Sequence, residues 1–275
     1  MTKKIQNHNK LHNKLNKLKK ELRKMGSVVI AFSGGVDSSF LLKVAHKELG
    51  GGVLAVTAKS EIYPAGELKE ARELAKTIGA RHKIIYTKEL KKRNFYRNPI
   101  NRCYFCKKEL FSELKKIAKK EKIRYLLDAS NFDDLRNYRP GRIAAKELGV
   151  VSPLVEVKLT KKEIRLLSKK LGLPTWAKPA QACLASRIPY GNKITKEKLT
   201  KIAQTEAYLK KLGVENLRVR NHGKIVRIET SPESFQTLLK NSKKIIREFK
   251  KLGFTYITLD LEGYRTGSLN EVFKK

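Results

Sequence analysis

Acidic residues are scarce. Against 62 lysines and arginines stand 26 aspartates and glutamates, a formal charge of +36 over 275 residues, and an excess of this size favours anionic partners such as nucleotides, RNA or phosphorylated metabolites. The lysines are spread over nearly every helical stretch instead of forming one block, so the charge also reads as a compositional habit and does not choose among those partners. Long hydrophobic runs are missing as well. No stretch reaches the roughly 18 apolar residues of a membrane span, and the lysine-rich N-terminus lacks the apolar segment of a secretory signal. A cytoplasmic enzyme with no membrane partner is the expectation. Cysteine is rare and odd in number, three in all, which argues against a disulfide framework and towards metal or sulfur chemistry. Neither an internal repeat nor a low-complexity tract is present, and the 40% of apolar residues fall in short runs typical of a globular chain.

The pattern along the chain is an alternation. Lys3 to Lys24 reads as a basic amphipathic helix, with Leu11, Leu15, Leu18 and Leu22 on one side. It is either a docking helix on the core or a nucleic-acid contact. The apolar run Ser27 to Phe32 suits a buried parallel strand and leads through a glycine turn into a helix over Ser38 to Leu49. Strands over Val53 to Ala58, Lys83 to Tyr86 and Tyr125 to Ala129 then alternate with helices over Ala65 to Ile78 and Glu109 to Lys120. Such alternation predicts an α/β fold, a parallel sheet with helices on both faces, whose ligands bind beyond the carboxyl ends of the strands.

After a helix over Lys161 to Leu171, the Pro- and Gly-containing segment Gly172 to Pro179 marks a domain boundary. Beyond it, a helix over Lys196 to Leu212, strands over Asn216 to Arg220 and Ile225 to Ile228, a helix over Pro232 to Leu252 and a strand over Tyr256 to Leu261 read as a smaller C-terminal α+β domain. The expected division is therefore an N-terminal helix over 1–26, a nucleotide domain over 27–178 and a substrate domain over 179–275. Trp176 and Tyr190 are expected as packing residues near the boundary.

Chemistry concentrates in two places. Directly after the first strand stands Ser33-Gly34-Gly35-Val36-Asp37-Ser38-Ser39. The glycines permit a tight turn and close approach, the helix start offers N–H donors and a positive dipole end, and the serine hydroxyls can bind phosphate oxygens. Asp37 can hold magnesium on them. The segment has neither the G-x-G-x-x-G of dinucleotide sites nor the Gly-Lys-Ser/Thr ending of the common P-loop. The second place is the C-x-x-C unit Cys103-Tyr104-Phe105-Cys106 together with Cys183. Three thiolates suit an iron–sulfur cluster with one open iron, while a redox or persulfide pair, structural zinc and inert thiols are the alternatives.

SGGVDSS after a strand resembles the PP-loop of the ATP pyrophosphatases, which split ATP into AMP and pyrophosphate. Further strings resemble the LarE-type sulfur transferases within that superfamily. They are Asn98-Pro99 leading to Arg102 to Lys107, Asp128 to Gly141, Ala182 to Gly191, and Leu217 to Arg220 followed by His222-Gly223, so the resemblance spans about residues 8 to 265. It implies an adenine nucleotide alpha hydrolase-like fold and an ATP-dependent enzyme that converts a pyridinium dicarboxylate mononucleotide to its thiocarboxylate for a nickel-pincer cofactor. One branch of that family sacrifices the sulfur of a single cysteine; another binds a 4Fe-4S cluster through three, and the C-x-x-C unit points to the cluster branch.

The implied cofactors are ATP, Mg2+ and that cluster, with Cys103, Cys106 and Cys183 as metal ligands and, together with Asp37, as the catalytic residues. The resemblance further places Ser33, Gly34, Gly35, Asp37 and Ser38 at the ATP phosphates, with adenine near Thr57 and Ala58. It assigns Ser186, Arg187, Arg218 and Arg220 to the substrate's phosphate, with Glu206 at a family acidic position. Asp128, Asn131, Asp133 and Asp134 are read either as magnesium or ATP contacts or as turn and cap residues, and Arg218 and Arg220 also read as a solvated strand face. The partners are the mononucleotide, ATP and a sulfide source, and a homo-oligomer is expected. A tRNA thiolase, with tRNA as partner, is the enzymatic alternative, and an ATP- or RNA-binding adaptor the non-enzymatic one.

Overall fold

The computed structural model describes residues 2–64, 66–136, 139–179 and 182–273, with 2–8 and 273 as backbone only. Ala65, Asn137 and Tyr138, which enter the readings above, lie outside the described residues. The elements in chain order are α1 (Thr2–Met25), β1 (Val28–Ala31), α2 (Val36–Leu49), β2 (Val53–Lys59), α3 (Glu67–Ile78), β3 (Arg81–Tyr86), α4 (Arg93–Tyr96), α5 (Arg102–Lys120) and β4 (Tyr125–Leu127). They continue as α6 (Gly141–Glu147), α7 (Pro153–Glu156), α8 (Lys161–Lys170), α9 (Lys196–Lys211), β5 (Arg218–His222), β6 (Ile225–Glu229), α10 (Phe235–Lys240), α11 (Ser242–Lys251) and β7 (Tyr256–Leu259). No helix among the described residues is long and apolar enough to cross a membrane.

Two compact units divide the chain, and the division is not a single cut. The first comprises 1–60, 66–89 and 101–181; the second comprises 61–65, 90–100 and 182–275.

In the first unit four parallel strands form a sheet in the order β3-β2-β1-β4. Apolar residues run without interruption through β1 and through Val53–Val56 of β2, which lie inside the sheet, because helices cover both faces. The pleat sorts them. Val28, Ile30, Val53 and Ala55 join the core shared with α1, α2, α3 and α8, whereas Val29, Leu54 and Val56 join the core under α5. α1 lays Leu11, Leu18 and Leu22 into the first of these cores, and Lys14 on its flank reaches Glu163 at 2.7 Å. The chain leaves β1 towards β2 on one side and returns to β4 on the other. That reversal makes the crevice between the β1 and β4 ends the expected ligand position in an open parallel sheet. The architecture is α/β, as the alternation predicted.

α5 begins seven residues earlier than the sequence reading placed it, at Arg102 after Asn101, so the C-x-x-C unit occupies a helix's first turns. The early start is packed in place: a Cβ on Gly141 would lie 2.8 Å from Lys107 Cγ and 3.4 Å from the Cys103 carbonyl, so only glycine lets the start of α6 approach α5.

The second unit holds a mixed sheet, β5-β6-β7, with β5 and β6 antiparallel and β6 and β7 parallel. Val219, Val226 and Ile228 face Leu209 of α9, Leu238, Ile245 and Phe249 in its core. The single helix expected over 232–252 is two, parted at Asn241, which ends α10 and precedes α11.

Candidate functional site

The glycine loop stands at the carboxyl end of β1, at the reversal point of the sheet. Gly34 has φ +69°, a left-handed conformation that favours glycine, and a Cβ there would meet Ala71 Cα and Cβ at 3.1 Å, so α3 packs closely on the loop at this point. Gly35 precedes the first turn of α2 without a side-chain cap, which leaves the helix's N–H groups and positive dipole end available to an anion. The serines tie the loop to itself. Ser33 Oγ and Ser38 Oγ are 3.1 Å apart, the Gly35 amide donates to Ser33 Oγ at 3.3 Å, and Ser38 Oγ donates to the Gly35 carbonyl at 3.2 Å. Ser39 is fully buried and its hydroxyl has no partner among the described residues.

Asp37, on the first turn of α2, has two different oxygens. Its Oδ2 pairs with the Lys161 ammonium from the first turn of α8 and lies 3.4 Å from Asn131 Nδ2. Its Oδ1 is buried with no partner among the described residues, an arrangement costly in isolation and suited to a cation. On the other side of the loop, Lys178 Nζ donates to the Gly34 carbonyl at 3.3 Å and pairs with Glu70 at 2.6 Å. Lys161 and Lys178 were not singled out in the sequence. They lie 124 and 144 residues from their partners in the loop, and only the folded sheet brings them there.

The acidic string after β4 is mainly architectural. Asp128 accepts from Ser130 Oγ at 2.7 Å and Ser152 Oγ at 2.6 Å, Asp133 accepts the Lys161 amide at 2.8 Å, and Asp134 pairs with Arg139 at 2.8 Å. Of the four, Asn131 touches Asp37. The Thr57 hydroxyl is likewise committed: it donates to the Phe32 carbonyl at 2.8 Å, which makes it the acceptor for His82 Nε2 at 2.8 Å. Burial, and then the charge of Arg72, push the His82 imidazolium below its ordinary pKa, in keeping with a neutral ring. Ala58, half-buried beyond Thr57, keeps no side-chain polar group to offer.

Cys103 is exposed and Cys106 half-buried, one turn apart on α5 in the first unit; Cys183 is half-buried in the second, and all three are thiols. Among the described residues no group of three His, Cys, Asp or Glu side chains is placed to hold a metal ion. Trp176, expected as a packing residue, is instead 39% exposed, with Lys169 Nζ 4.6 Å from its ring centre.

In the second unit the predicted arginines and their surroundings form a buried charge network. Arg187 donates along its edge to Glu206, Nε to Oε1 at 2.9 Å and Nη2 to Oε2 at 3.1 Å. Arg220 does the same to Glu229 at 2.9 and 2.6 Å, and its Nη1 holds the Ser186 carbonyl at 2.8 Å. Such two-pronged pairs fix direction as well as charge. Glu229, fully buried, also receives Arg227 and Ser268. It was missed because the strand was read as ending at Ile228, although the His222-Gly223-Lys224 hairpin turn sets the register that brings Glu229 diagonally opposite Arg220.

Arg218 differs. It is half-buried, its guanidinium sits 4.9 Å from the Tyr264 ring centre, and burial followed by the charge of Arg187 lowers its pKa. The Cys183 carbonyl is held by three donors, Ser186 N at 2.9 Å, Ser186 Oγ at 2.8 Å and Arg187 Nη1 at 3.0 Å. Asn98 fastens the same loop further along: its Nδ2 faces the carbonyls of Ile188, Pro189 and Asn192 at 3.1, 2.7 and 3.1 Å.

Residues 16–96 match the family described as asparagine synthase. Over 267 residues, 96% of this chain and 100% of the relative, the chain is 45% identical to an uncharacterized protein of Synechocystis sp.. It is 36% identical over 255 residues, 92% of each chain, to the pyridinium-3,5-bisthiocarboxylic acid mononucleotide synthase of Lactiplantibacillus plantarum. Over 256 residues, 92% of this chain and 98% of the relative, it is 32% identical to an uncharacterized protein of Methanocaldococcus jannaschii. With its glycine loop at the carboxyl end of β1 and a likeness that runs nearly the whole length of these relatives, the chain is an enzyme of the PP-loop ATP pyrophosphatases and belongs to the LarE family among them.

Proposed function

We propose that this enzyme activates a carboxylate of a pyridinium dicarboxylate mononucleotide with ATP and exchanges one carboxylate oxygen for sulfur. The near full-length similarity to the synthase of that bisthiocarboxylic acid carries the reading. In the first step a carboxylate oxygen of the substrate attacks the α-phosphorus of ATP, and the bond to the bridging oxygen breaks as pyrophosphate leaves with the electron pair. A sulfur nucleophile then adds to the acyl carbon, and AMP departs with the former carboxylate oxygen.

The loop amides and the α2 dipole stabilise the phosphate charge, which rises at the leaving group as the bond breaks. Asp37, through its unpartnered Oδ1, is the residue proposed to hold Mg2+. Arg218 is proposed to meet the mononucleotide's phosphate, while Arg187 and Arg220, each closed by a glutamate, position the Cys183–Ser186 loop.

For the sulfur, Cys103, Cys106 and Cys183 are the thiolates proposed to hold a 4Fe-4S cluster, which when bound supplies sulfide. What supports this is the donor chemistry: three thiols, two of them one turn apart at the start of a helix. The test is iron and acid-labile sulfide on anaerobically purified protein and on Cys106→Ala, alongside pyrophosphate release and the mass of the product with the dicarboxylate mononucleotide. Iron lost in the variant and a product heavier by a sulfur-for-oxygen exchange are expected. Iron-free protein that releases pyrophosphate would sink the cluster and turn attention to loss of sulfur from Cys183. Release stimulated by tRNA and not by the mononucleotide would sink the substrate.

A further inference from the structure

The mixed sheet of the second unit has two edges of different composition. β5 carries Arg218, Arg220 and His222 along one of them. On the other, β7 and the residues before it carry no charge from Phe254 to Leu259, in a chain of which 32% is charged. The parallel sheet of the first unit is guarded too: its edge strand β3 holds Arg81, His82 and Lys83, and Val151 bridges Leu127 beyond β4. Charged side chains are what soluble proteins place on a free edge to stop another strand from pairing there. β7 does without them.

The ladder of β7 is open on its outer side. The Tyr256 and Asp260 amides donate to the Lys224 and Ile228 carbonyls at 3.1 and 2.9 Å, and Thr258 lies between them in the same register with β6. Ile257 and Leu259 therefore turn their N–H and C=O groups outward, where the described residues supply no neighbouring strand. Large apolar side chains surround this edge: Tyr256 is 62% exposed, its register partner Ile225 42% and Leu261 82%. Charge returns at the two ends with opposite signs. Lys224 and Lys251 stand near the start of the strand, and Asp260 and Glu262 follow its end.

We propose that β7 pairs antiparallel with β7 of a second copy of this chain, about a two-fold axis at Thr258. In that register Ile257 and Leu259 of each copy exchange N–H···O bonds with Leu259 and Ile257 of the other, and the two Thr258 side chains face each other, a favourable cross-strand pair. The basic start of each strand then meets the acidic end of its mate, which selects the antiparallel direction. A contact of this kind is the same patch on both copies and closes as a dimer. For two chains of formal charge +36, a neutral edge with complementary ends is a surface on which they can meet without like charges opposed.

Sedimentation equilibrium of the full chain at micromolar concentrations tests the pairing. Thr258→Glu sets two carboxylates against each other across the axis, while within one copy the new side chain lies beside its register partner Arg227. Ile257→Pro removes an outward N–H and leaves the ladder to β6 intact. Lys115→Gln, on an exposed position of α5, makes the same change in net charge elsewhere, and thermal melting identifies which variants are folded. The parent should sediment as two chains, Thr258→Glu and Ile257→Pro should each weaken association about tenfold or more, and Lys115→Gln should leave it unchanged. Thr258→Cys gives a readout that needs no disruption of the strand. Facing residues of this type lie about 4.5 Å apart at Cα, within disulfide reach, so mild oxidation should yield a cross-linked dimer that the parent, with its own three cysteines, does not form. A monomeric parent, an association that folded Thr258→Glu and Ile257→Pro leave intact, or a Thr258→Cys protein that cross-links no more than the parent would overturn the proposal.

Discussion

Glu206 grips the Nε–Nη2 edge of the Arg187 guanidinium with both carboxylate oxygens while its Oε1 also accepts the Val219 amide at 3.1 Å. One buried carboxylate thus joins α9, the loop after Cys183 and strand β5. Removing only one partner of such a pair strands a buried charge. Glu206→Leu is expected to destabilise the protein by about 3–5 kcal/mol in urea unfolding. The double variant Arg187→Met, Glu206→Leu should be less destabilised than Glu206→Leu alone. A double variant as unstable as the sum of its singles would show that the pair is not coupled.

The two loop glycines should respond unequally. Gly34→Ala places a Cβ against Ala71 at a φ of +69°, a left-handed conformation that costs about 1–2 kcal/mol before any clash. At Gly35 the φ is −81° and a Cβ would meet only Ser33 Oγ at 3.3 Å. Pyrophosphate release should be abolished in the first variant and reduced in the second. Equal loss in both would mean that bulk near the phosphate, and not backbone conformation, decides the outcome.

Stability should decline on the acid side in two pH windows. His82 and His222 are held below the ordinary histidine value, first by burial and then by neighbouring arginines, Arg72 for His82 and Arg227 and Arg220 for His222. The unfolded chain therefore takes up protons that the folded one refuses as pH falls below about 6.5, and stability declines there. At Glu163 and Glu229 burial pushes the carboxyl up, but Lys14 and Thr160, and Arg220, Arg227 and Ser268, outweigh it and hold both low. Their contribution is complete above the unfolded carboxylate value of about 4.3 and is lost as pH falls from there through the folded values. Urea midpoints across pH 3 to 8 should show both declines, and Glu229→Gln should flatten the second.

Asn98 combines a left-handed backbone, φ +55°, with a side chain spread over three carbonyls. Asn98→Gly keeps the backbone accessible and loses the contacts; Asn98→Ala loses both. The alanine variant should melt lower than the glycine variant by a difference worth about 1 kcal/mol. Identical melting temperatures would mean that the backbone at this position relaxes.

What could be seen in the sequence was whatever depends on neighbours along the chain. The apolar run before Ser33, the two glycines and the hydroxyls are contiguous, so the loop and its place at a strand end were legible, and so was the α/β alternation. Asn98 was noticed within a string, but its grip on residues about 90 positions away was not. The start of α5 escaped because Asn101 offers no side-chain cap, leaving no local signal that the cysteines lie on a helix. Arg187 and Arg220 were read as anion anchors, since the carboxylates that close on them come from other elements. In a chain with so few acids, an arginine's partner is easily passed over. Lys161 shows the same limit most clearly, because its meaning comes from a sheet reversal that no periodicity displays.

The hold on Cys183 has one more implication. The three donors that meet this residue among the described residues close on its main-chain oxygen, and none of them involves the sulfur. The loop's shape is thereby decoupled from the chemistry of its side chain. Oxidation, alkylation, metal coordination or replacement by serine would change what the position can do while the polypeptide around it keeps its course, so the reactive atom can be altered without rebuilding its socket.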